Sequence, residues 1–183
     1  MNNFLKESTE FEGLYIIKSK IFYDERGYFY ESYQKEKFQE LGINDEFVQD
    51  NRSMSHKGVL RGLHFQIQPW AQSKLVSVIS GSVWDVVVDL RKNSPTFGKY
   101  FSIELKPDGT MLYIPQGFAH GFYTLEDNTV FCYKCNNYYS KSHERCLLYS
   151  DPDINIQWPA KPSFISPKDL QGQLFHDLIS HLD

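Results

Sequence analysis

Apolar and polar positions alternate in period two along Lys74–Ser80 (KLVSVIS) and Ser82–Leu90 (SVWDVVVDL), the rhythm of strands buried on one face. Val59–Gln66, Lys99–Leu105, Met111–Ile114, His120–Leu125 and Thr129–Cys135 share their richness in β-branched and aromatic residues. Turn signals separate them, among them Ile79-Ser-Gly-Ser82, Lys92-Asn-Ser-Pro-Thr-Phe-Gly98, Pro107-Asp-Gly109 and Pro115-Gln-Gly117. Short strands so closely spaced predict an all-β architecture, an antiparallel barrel over roughly residues 47–150. One early helix is expected at Ser32–Leu41, capped by Ser32 and with Phe38, Leu41 and Ile43 as its apolar edge. A second, roughly Asp169 to Leu182, follows the Pro-rich stretch after Trp158. Both helices are short and peripheral. No repeat or Gly/Ser linker interrupts the chain, so residues 1–183 are expected to form a single domain.

Composition narrows the partners. With 19 basic and 23 acidic residues the net charge is −4, which argues against a general electrostatic grip on nucleic acid. Local basic groups remain free to hold one or two phosphates. No apolar run approaches the roughly 20 residues of a bilayer span, so no membrane partner is expected. The opening MNNFLKESTEFEG carries acids and no apolar core, unlike a secretory signal. Three cysteines without such a signal imply free thiols in a reducing cytoplasm. Cys132 and Cys135 spell CxxC, but residues three apart on a strand point to opposite faces. With no second CxxC, two strand-embedded thiols are the better reading than a zinc or redox centre.

Several polar residues interrupt faces that are otherwise apolar. His64 and Gln66 share one face of their strand; such a histidine is a satisfied core residue, a metal ligand or a base, and the strand alone favours the first. Lys74 precedes Val76 and Val78 on one face, and Asp85 lies between Val83 and Val87. Tyr133 shares a face with Phe131 and Cys135, and by itself reads as a core tyrosine bonded to a carbonyl. Buried singly, the charges would be costly; together, His64, Lys74, Asp85 and Tyr133 form a polar constellation inside a barrel. Pro115-x-Gly117-x-x-His120 adds a turn that supplies one metal ligand in metal-binding cupins. The His-x-His motif that supplies the others is missing, so the barrel reads as cupin-like with no metal, and His120 is free for substrate contact or structure. Arg26, Arg61, Lys74 and Lys168, if grouped at a cavity mouth, could hold a diphosphate.

These residues fall within an ordered series of motifs: Asp24-Glu-Arg-Gly27, Glu31-Ser32, Phe47-Val-Gln-Asp-Asn51, Val59-Leu-Arg-Gly-Leu-His-Phe-Gln66, Lys74-Leu-Val76, Asp85-Val-Val-Val-Asp89, Ser94-Pro-Thr-Phe-Gly98, Ile114-Pro-Gln-Gly-Phe-Ala-His-Gly121, Tyr133-Lys134 and Asn137-Tyr-Tyr139. In this the sequence resembles the nucleotide-sugar 3,5-epimerases that act on dTDP-4-dehydro-6-deoxyglucose, over residues 24 to about 159, nearly the whole domain. The resemblance implies a cupin-like jelly-roll barrel and a homodimer that exchanges N-terminal strands. It makes His64 the catalytic base, Tyr133 the opposing acid, Asp169 the carboxylate paired with the histidine, and Lys74 the neighbour of the sugar's keto oxygen. Arg26, Glu31, Gln49, Asp50, Asn51, Arg61, His120, Tyr138, Glu144 and Lys168 match nucleotide and sugar contacts. Departures at Gln68-Pro-Trp70 and at Ser73, where a glycine is expected, bear on the cavity rim.

The implied reaction removes a proton next to a ketone and returns one from the opposite face, with no metal or cofactor. The 4-keto group acidifies C3 and C5 alike. A relative acting on another 4-keto sugar nucleotide, such as a GDP-linked 6-deoxyheptose, would share this machinery. A catalytically silent sugar-nucleotide binding module would bind ligand without exchanging protons.

Overall fold

The computed structural model describes residues 2–181; within them the seven strands read from the sequence between Val59 and Cys135 are present within two residues of their expected bounds, and seven further strands were not read from the pattern. In chain order they are β1 (Phe4–Ser8), β2 (Tyr15–Ser19), β3 (Phe22–Asp24), β4 (Gly27–Phe29), β5 (Gln49–Ser55), β6 (Val59–Gln66), β7 (Lys74–Ser80) and β8 (Val83–Asp89). There follow β9 (Tyr100–Leu105), β10 (Thr110–Ile114), β11 (Phe118–Thr124), β12 (Thr129–Cys135), β13 (Glu144–Cys146) and β14 (Phe164–Ile165). One sheet runs β1-β2-β10-β7-β12-β5 and the other β13-β6-β11-β8-β9; β3 and β4 form a separate hairpin. All pairings are antiparallel except the short β14, which lies parallel beside β6. This is the expected jelly-roll barrel. Its first sheet reaches beyond residues 47–150, because β2 pairs with β10 and β1 with β2.

The two sheets press their inward faces together. Val76, Val78, Leu112, Ile114 and Phe131 from one meet Val83, Val87, Leu105, Phe118 and Phe122 from the other. The alternate residues of β8, Val86 and Val88, face outward but are equally buried, covered by Leu147, Ile154, Ile156 and Leu178. A strand covered on both faces reads as an almost unbroken apolar run, as β8 does, so the inward Asp85 stands out. On the other side α1 (Lys35–Glu40) lays Phe38 over Phe4, Leu75 and Met111.

Both helices differ from expectation. The first is capped two residues later than expected, because the Gln34 side chain, not Ser32, accepts from the Lys37 amide. The second is broken into α2 (Pro167–Leu170), α3 (Phe175–Leu178) and a 3-10 turn at Ile179–His181. The cause is backbone competition: Gln173 donates to Cys146 O and accepts from the Leu148 amide. A Cβ at Gly172 would meet Leu148 Cα at 2.8 Å, so glycine permits that approach. Leu182, the expected end of the helix, lies outside the described residues.

Candidate active site

The strand β6 deviates from regular pairing where it carries His64. Its register with β11 shifts between His120 and Phe122, where Gly62 and Gly121 are packed backbone to backbone. A Cβ at Gly62 would meet Gly121 Cα at 2.5 Å, and its φ of 118° lies in the region that favours glycine. The displaced Gly62 amide donates to Asp169 Oδ2 at 3.2 Å. Asp169 Oδ1 lies 2.6 Å from His64 Nε2, and Ser166 caps α2 by accepting from the Asp169 amide at 3.1 Å. Burial would raise the Asp169 carboxyl, but the His64 hydrogen bond and charge, the Gly62 amide and the Ser166 hydroxyl outweigh it and hold the group below its ordinary value. A buried carboxylate thus orients a half-exposed imidazole, leaving Nδ1 free of any hydrogen bond among the described residues.

His64 opens into a cavity of about 810 Å³ that runs between the two sheets. Tyr133 lines it from β12, in the sheet facing His64. Among the described residues the Tyr133 hydroxyl makes no hydrogen bond and is not closed off from solvent, so the carbonyl-bonded core tyrosine does not occur. Burial pushes its hydroxyl above the ordinary tyrosine value, with Cys135 and Glu144 adding to the effect and Arg61 opposing it. Lys74 is buried at the start of β7 and donates to the His64 carbonyl at 3.3 Å. Its ammonium is pushed down by burial, against the pull of Cys135, Asp85 and Glu144. An imidazole and a phenol therefore look into one space from opposing sheets, with a buried amine beside them.

Deeper in, Asp85 is wholly buried and its Oδ2 lies 2.9 Å from His120 Nε2. Burial pushes the Asp85 carboxyl up and the His120 ring down from their ordinary values. His120 sits directly across from His64 in the strand register and lines the cavity. The constellation read from the strands is assembled, and His120 is the partner of Asp85 that sequence did not reveal.

The remaining candidates divide. Arg61, Gln49, Asn51, Glu144 and Lys168 line the cavity. Glu144 joins Lys168 and accepts from the Tyr139 hydroxyl at 2.7 Å, closing one side of the mouth. Four others lie elsewhere. Asp50 turns to the outer face of its sheet and pairs with Lys134 at 2.9 Å, as alternation with Gln49 and Asn51 requires. Tyr138 is exposed outside the cavity, and its neighbour Tyr139 takes the lining position. Arg26, in the β3–β4 hairpin, pairs among the described residues only with Asp24, while Glu31 pairs with Lys37. Sequence reading also missed Gln72 and Ser166 on the wall; the spacing Ser166-x-x-Asp169, a helix-cap pattern, was the available signal for the latter. Ser73, the departure from glycine, is buried and donates to Asp45 beside Lys74.

Among the described residues, the donor side chains close enough to share a metal are His64, Cys146 and Asp169, their ligand atoms within 4.8 Å of one another. The imidazole and carboxylate there are already joined, and burial pushes the Cys146 thiol up to about 12. That donor set suits proton transfer better than metal binding. Cys132 and Cys135 are free thiols on opposite strand faces.

Comparison with known proteins follows the same line. Residues 8–177 match the family model described as dTDP-4-dehydrorhamnose 3,5-epimerase. The chain is 52% identical over 171 residues to the Shigella flexneri dTDP-4-dehydrorhamnose 3,5-epimerase, covering 92% of this chain and 94% of that one. The structure is similar to that of the Legionella pneumophila dTDP-6-deoxy-D-glucose-3,5-epimerase in complex with dTDP-4-keto-L-rhamnose, with a TM-score of 0.91 at 48% identity over 94% of this chain and 93% of that one. It also resembles a 3'-monoepimerase from Streptomyces bikiniensis in complex with dTDP-quinovose, with a TM-score of 0.88 at 29% identity, covering 95% and 90%.

Proposed function

This chain belongs to the dTDP-4-dehydrorhamnose 3,5-epimerase family, and on that premise we propose that it converts dTDP-4-dehydro-6-deoxy-D-glucose to dTDP-4-dehydro-L-rhamnose by proton transfer between His64 and Tyr133. The observation that carries the reading is the pair of rings, one backed by a carboxylate and one without a hydrogen bond among the described residues, opening into a common cavity from opposing sheets. With Nε2 committed to Asp169, His64 Nδ1 is the atom that removes the proton from carbon. Asp169 fixes the tautomer and steadies the imidazolium, as the aspartate does in a serine-protease triad.

The electron pair left on carbon delocalises onto the keto oxygen as an enolate. Lys74 has one protein acceptor, so its remaining N–H groups are available to that oxygen. Burial makes the lysine's charge costly in the resting site, and a developing oxyanion offsets that cost, so the attraction is strongest when the enolate forms. Tyr133 then delivers a proton to the opposite face, and the centre inverts. Once solvent entering the open cavity has taken the proton from the imidazolium and returned one to the phenolate, a second round at the other carbon uses the same groups, because one ketone activates both. Arg61 and Lys168 at the mouth suit the diphosphate, and Tyr139 offers a ring for stacking the base.

The test is proton NMR in deuterated water. Incubation with the 4-keto sugar nucleotide should place deuterium at C3 and C5 and invert both centres. Exchange at C3 alone would assign a monoepimerase, the activity of the structurally similar Streptomyces bikiniensis protein. Bound nucleotide with no exchange at either carbon would reduce the protein to a binding module. Turnover of a GDP-linked sugar in preference to the dTDP-linked one would move the assignment to another 4-keto substrate.

The hairpin β3–β4 extends the proposal to a pair of chains. It exposes Phe22, Tyr23, Tyr28 and Phe29, and its Arg26 side chain is 89% exposed and is not among the residues that line its own chain's cavity. We infer that the hairpin crosses to a second copy and brings Arg26 to that copy's nucleotide. Free thiols suit a cytoplasmic site of action, and no helix among the described residues is long and apolar enough to cross a membrane.

A further inference from the structure

The mechanism above uses His64, Tyr133, Lys74 and Asp169 and leaves a second buried carboxylate–imidazole pair unused. Asp85 has no exposed surface, its Oδ1 makes no hydrogen bond among the described residues, and its Oδ2 is held only by His120 Nε2. Burying a carboxylate this completely for one hydrogen bond is costly. The His120 ring is stacked against Phe131, with centroids 6.0 Å apart and planes 24° apart, so its orientation is fixed. Its other nitrogen, Nδ1, makes no hydrogen bond either, yet it is not among the sealed, unpartnered atoms as Asp85 Oδ1 is. His120 lines the cavity, so Nδ1 is the atom left open to a ligand.

We propose that Asp85 is a positioning residue that fixes the proton of His120 on Nε2, so that Nδ1 faces the cavity as a hydrogen-bond acceptor and reads the C2 hydroxyl of the sugar. The proposal rests on the reading of the cavity as a 4-keto-6-deoxy sugar site. A carboxylate can only accept, so its hydrogen bond to Nε2 requires the proton there and leaves Nδ1 with a lone pair. Burial pushes the Asp85 carboxyl up, toward the acid form that would reverse the tautomer, while the charge and hydrogen bond of His120 and the Lys74 ammonium oppose that push and favour the carboxylate. Burial also keeps the imidazole from taking a second proton. The sugar offers two free ring hydroxyls, at C2 and C3. The C3 hydroxyl changes direction when its carbon inverts, whereas the C2 hydroxyl does not, so a rigid acceptor on the cavity wall can hold only the latter throughout. The two histidines then divide the work: His64 moves a proton, and His120, opposite it in the strand register, keeps the ring in place while the neighbouring centre is remade.

Two measurements on the unaltered protein test this. In a sample labelled with ¹⁵N at histidine, with the His120 signals assigned by their loss in His120→Gln, Nε2 should carry the proton and Nδ1 should show the shift of a bare ring nitrogen. A protonated Nδ1 would overturn the proposal. In turnover, the 2-deoxy form of the substrate should lose roughly 10- to 100-fold in kcat/KM relative to the 2-hydroxy form, the scale of one buried hydrogen bond left unmade. Equal turnover of the two would also overturn it. Asp85→Leu supplies the third arm, since a buried Nε2–H would then have no acceptor and the proton shifts to Nδ1, turning the acceptor into a donor. In that variant the preference for the 2-hydroxy substrate should collapse; a preference that persists in a variant with unchanged Tm counts against the proposal. If no 4-keto sugar nucleotide exchanges protons, the functional reading fails, whereas the ring-nitrogen spectrum still decides the tautomer.

Discussion

At the scale of single residues the site depends on carboxylates that set the state of a ring they touch. Asp169 accepts from a ring nitrogen, a backbone amide holds its other oxygen, and it stays ionised because those bonds outweigh its burial. Asp169→Asn keeps the shape but offers Nε2 a donor in place of an acceptor, so the free proton moves to Nδ1 and the base is blocked. Loss of about 10³- to 10⁴-fold in kcat is expected, the scale of the comparable change in a protease triad, with KM little altered. Steady-state rates and deuterium wash-in check it, and near-normal exchange in Asp169→Asn would remove the carboxylate from the mechanism. Lys74→Ala removes the positive charge beside the enolate oxygen, and a loss of about 10²- to 10³-fold in kcat follows if that charge acts in the transition state. A rise in KM with kcat unchanged would instead make Lys74 a ground-state binder.

Elements hold these residues in place, and two of them offer separable tests. The first is the irregularity where β6 crosses β11. A Cβ at Gly121 would meet Arg61 O at 2.5 Å and Leu63 Cδ2 at 2.9 Å, so the strands must part to admit it. Gly121→Ala should cost about 1–3 kcal/mol of stability, or about 2–4 °C in Tm for each kcal/mol, and should lower activity further by pulling the Gly62 amide from Asp169. A fully active, equally stable variant would show that the close approach is dispensable. The second is the turn between β8 and β9, gathered around the buried Asp89, which accepts from Arg91, Ser94 and Thr96. Burial raises its carboxyl, but these bonds win and hold it below the ordinary value. The sign follows: the stabilisation is complete above the unfolded pKa of about 4 and is lost as pH falls through the lower folded value. Thermal melts from neutral to strongly acid pH should therefore show Asp89→Asn less stable at neutrality by about 1–3 kcal/mol and converging on the parent in acid. Parallel curves would refute that assignment. Strands such as β7, β8 and β12 were legible because one-face burial writes itself into alternation. The helices were not: the choice between helix and bridge at Gln173 is made by backbone groups of Cys146 and Leu148, which no local pattern reports. The same holds for the site. Lys74 and Asp85 were visible as charges on apolar faces, whereas Asp169 lies 105 residues from His64 and came only from family resemblance.

The whole molecule raises a question that one chain leaves open, namely where the hairpin β3–β4 belongs. Its four large rings are exposed, its only strand pairing among the described residues is internal, and the guanidinium expected near the nucleotide points into solvent. Clustered exposed aromatics on a projecting element mark an interaction surface. The outer face of the first sheet already offers a concavity beside it, lined by Tyr28, Tyr30, Leu75, Ile79 and Met111. If two copies exchange hairpins there, each active site takes its proton-transfer groups from one chain and its Arg26 from the other. Such division has a consequence that a structural interface lacks. Arg26→Ala should raise KM, and His64→Ala should abolish exchange, each in its own homodimer. When the two variants are unfolded and refolded together, mixed dimers carry one site with both defects and one with neither. Substrate affinity at that intact site should return to the parent value, with kcat per dimer near half. Because His64→Ala is inactive by itself, the low-KM activity has no other source. A dimer by sedimentation whose mixed form never regains low KM would place the hairpin at the interface but outside the site, and a monomer would end the exchange hypothesis.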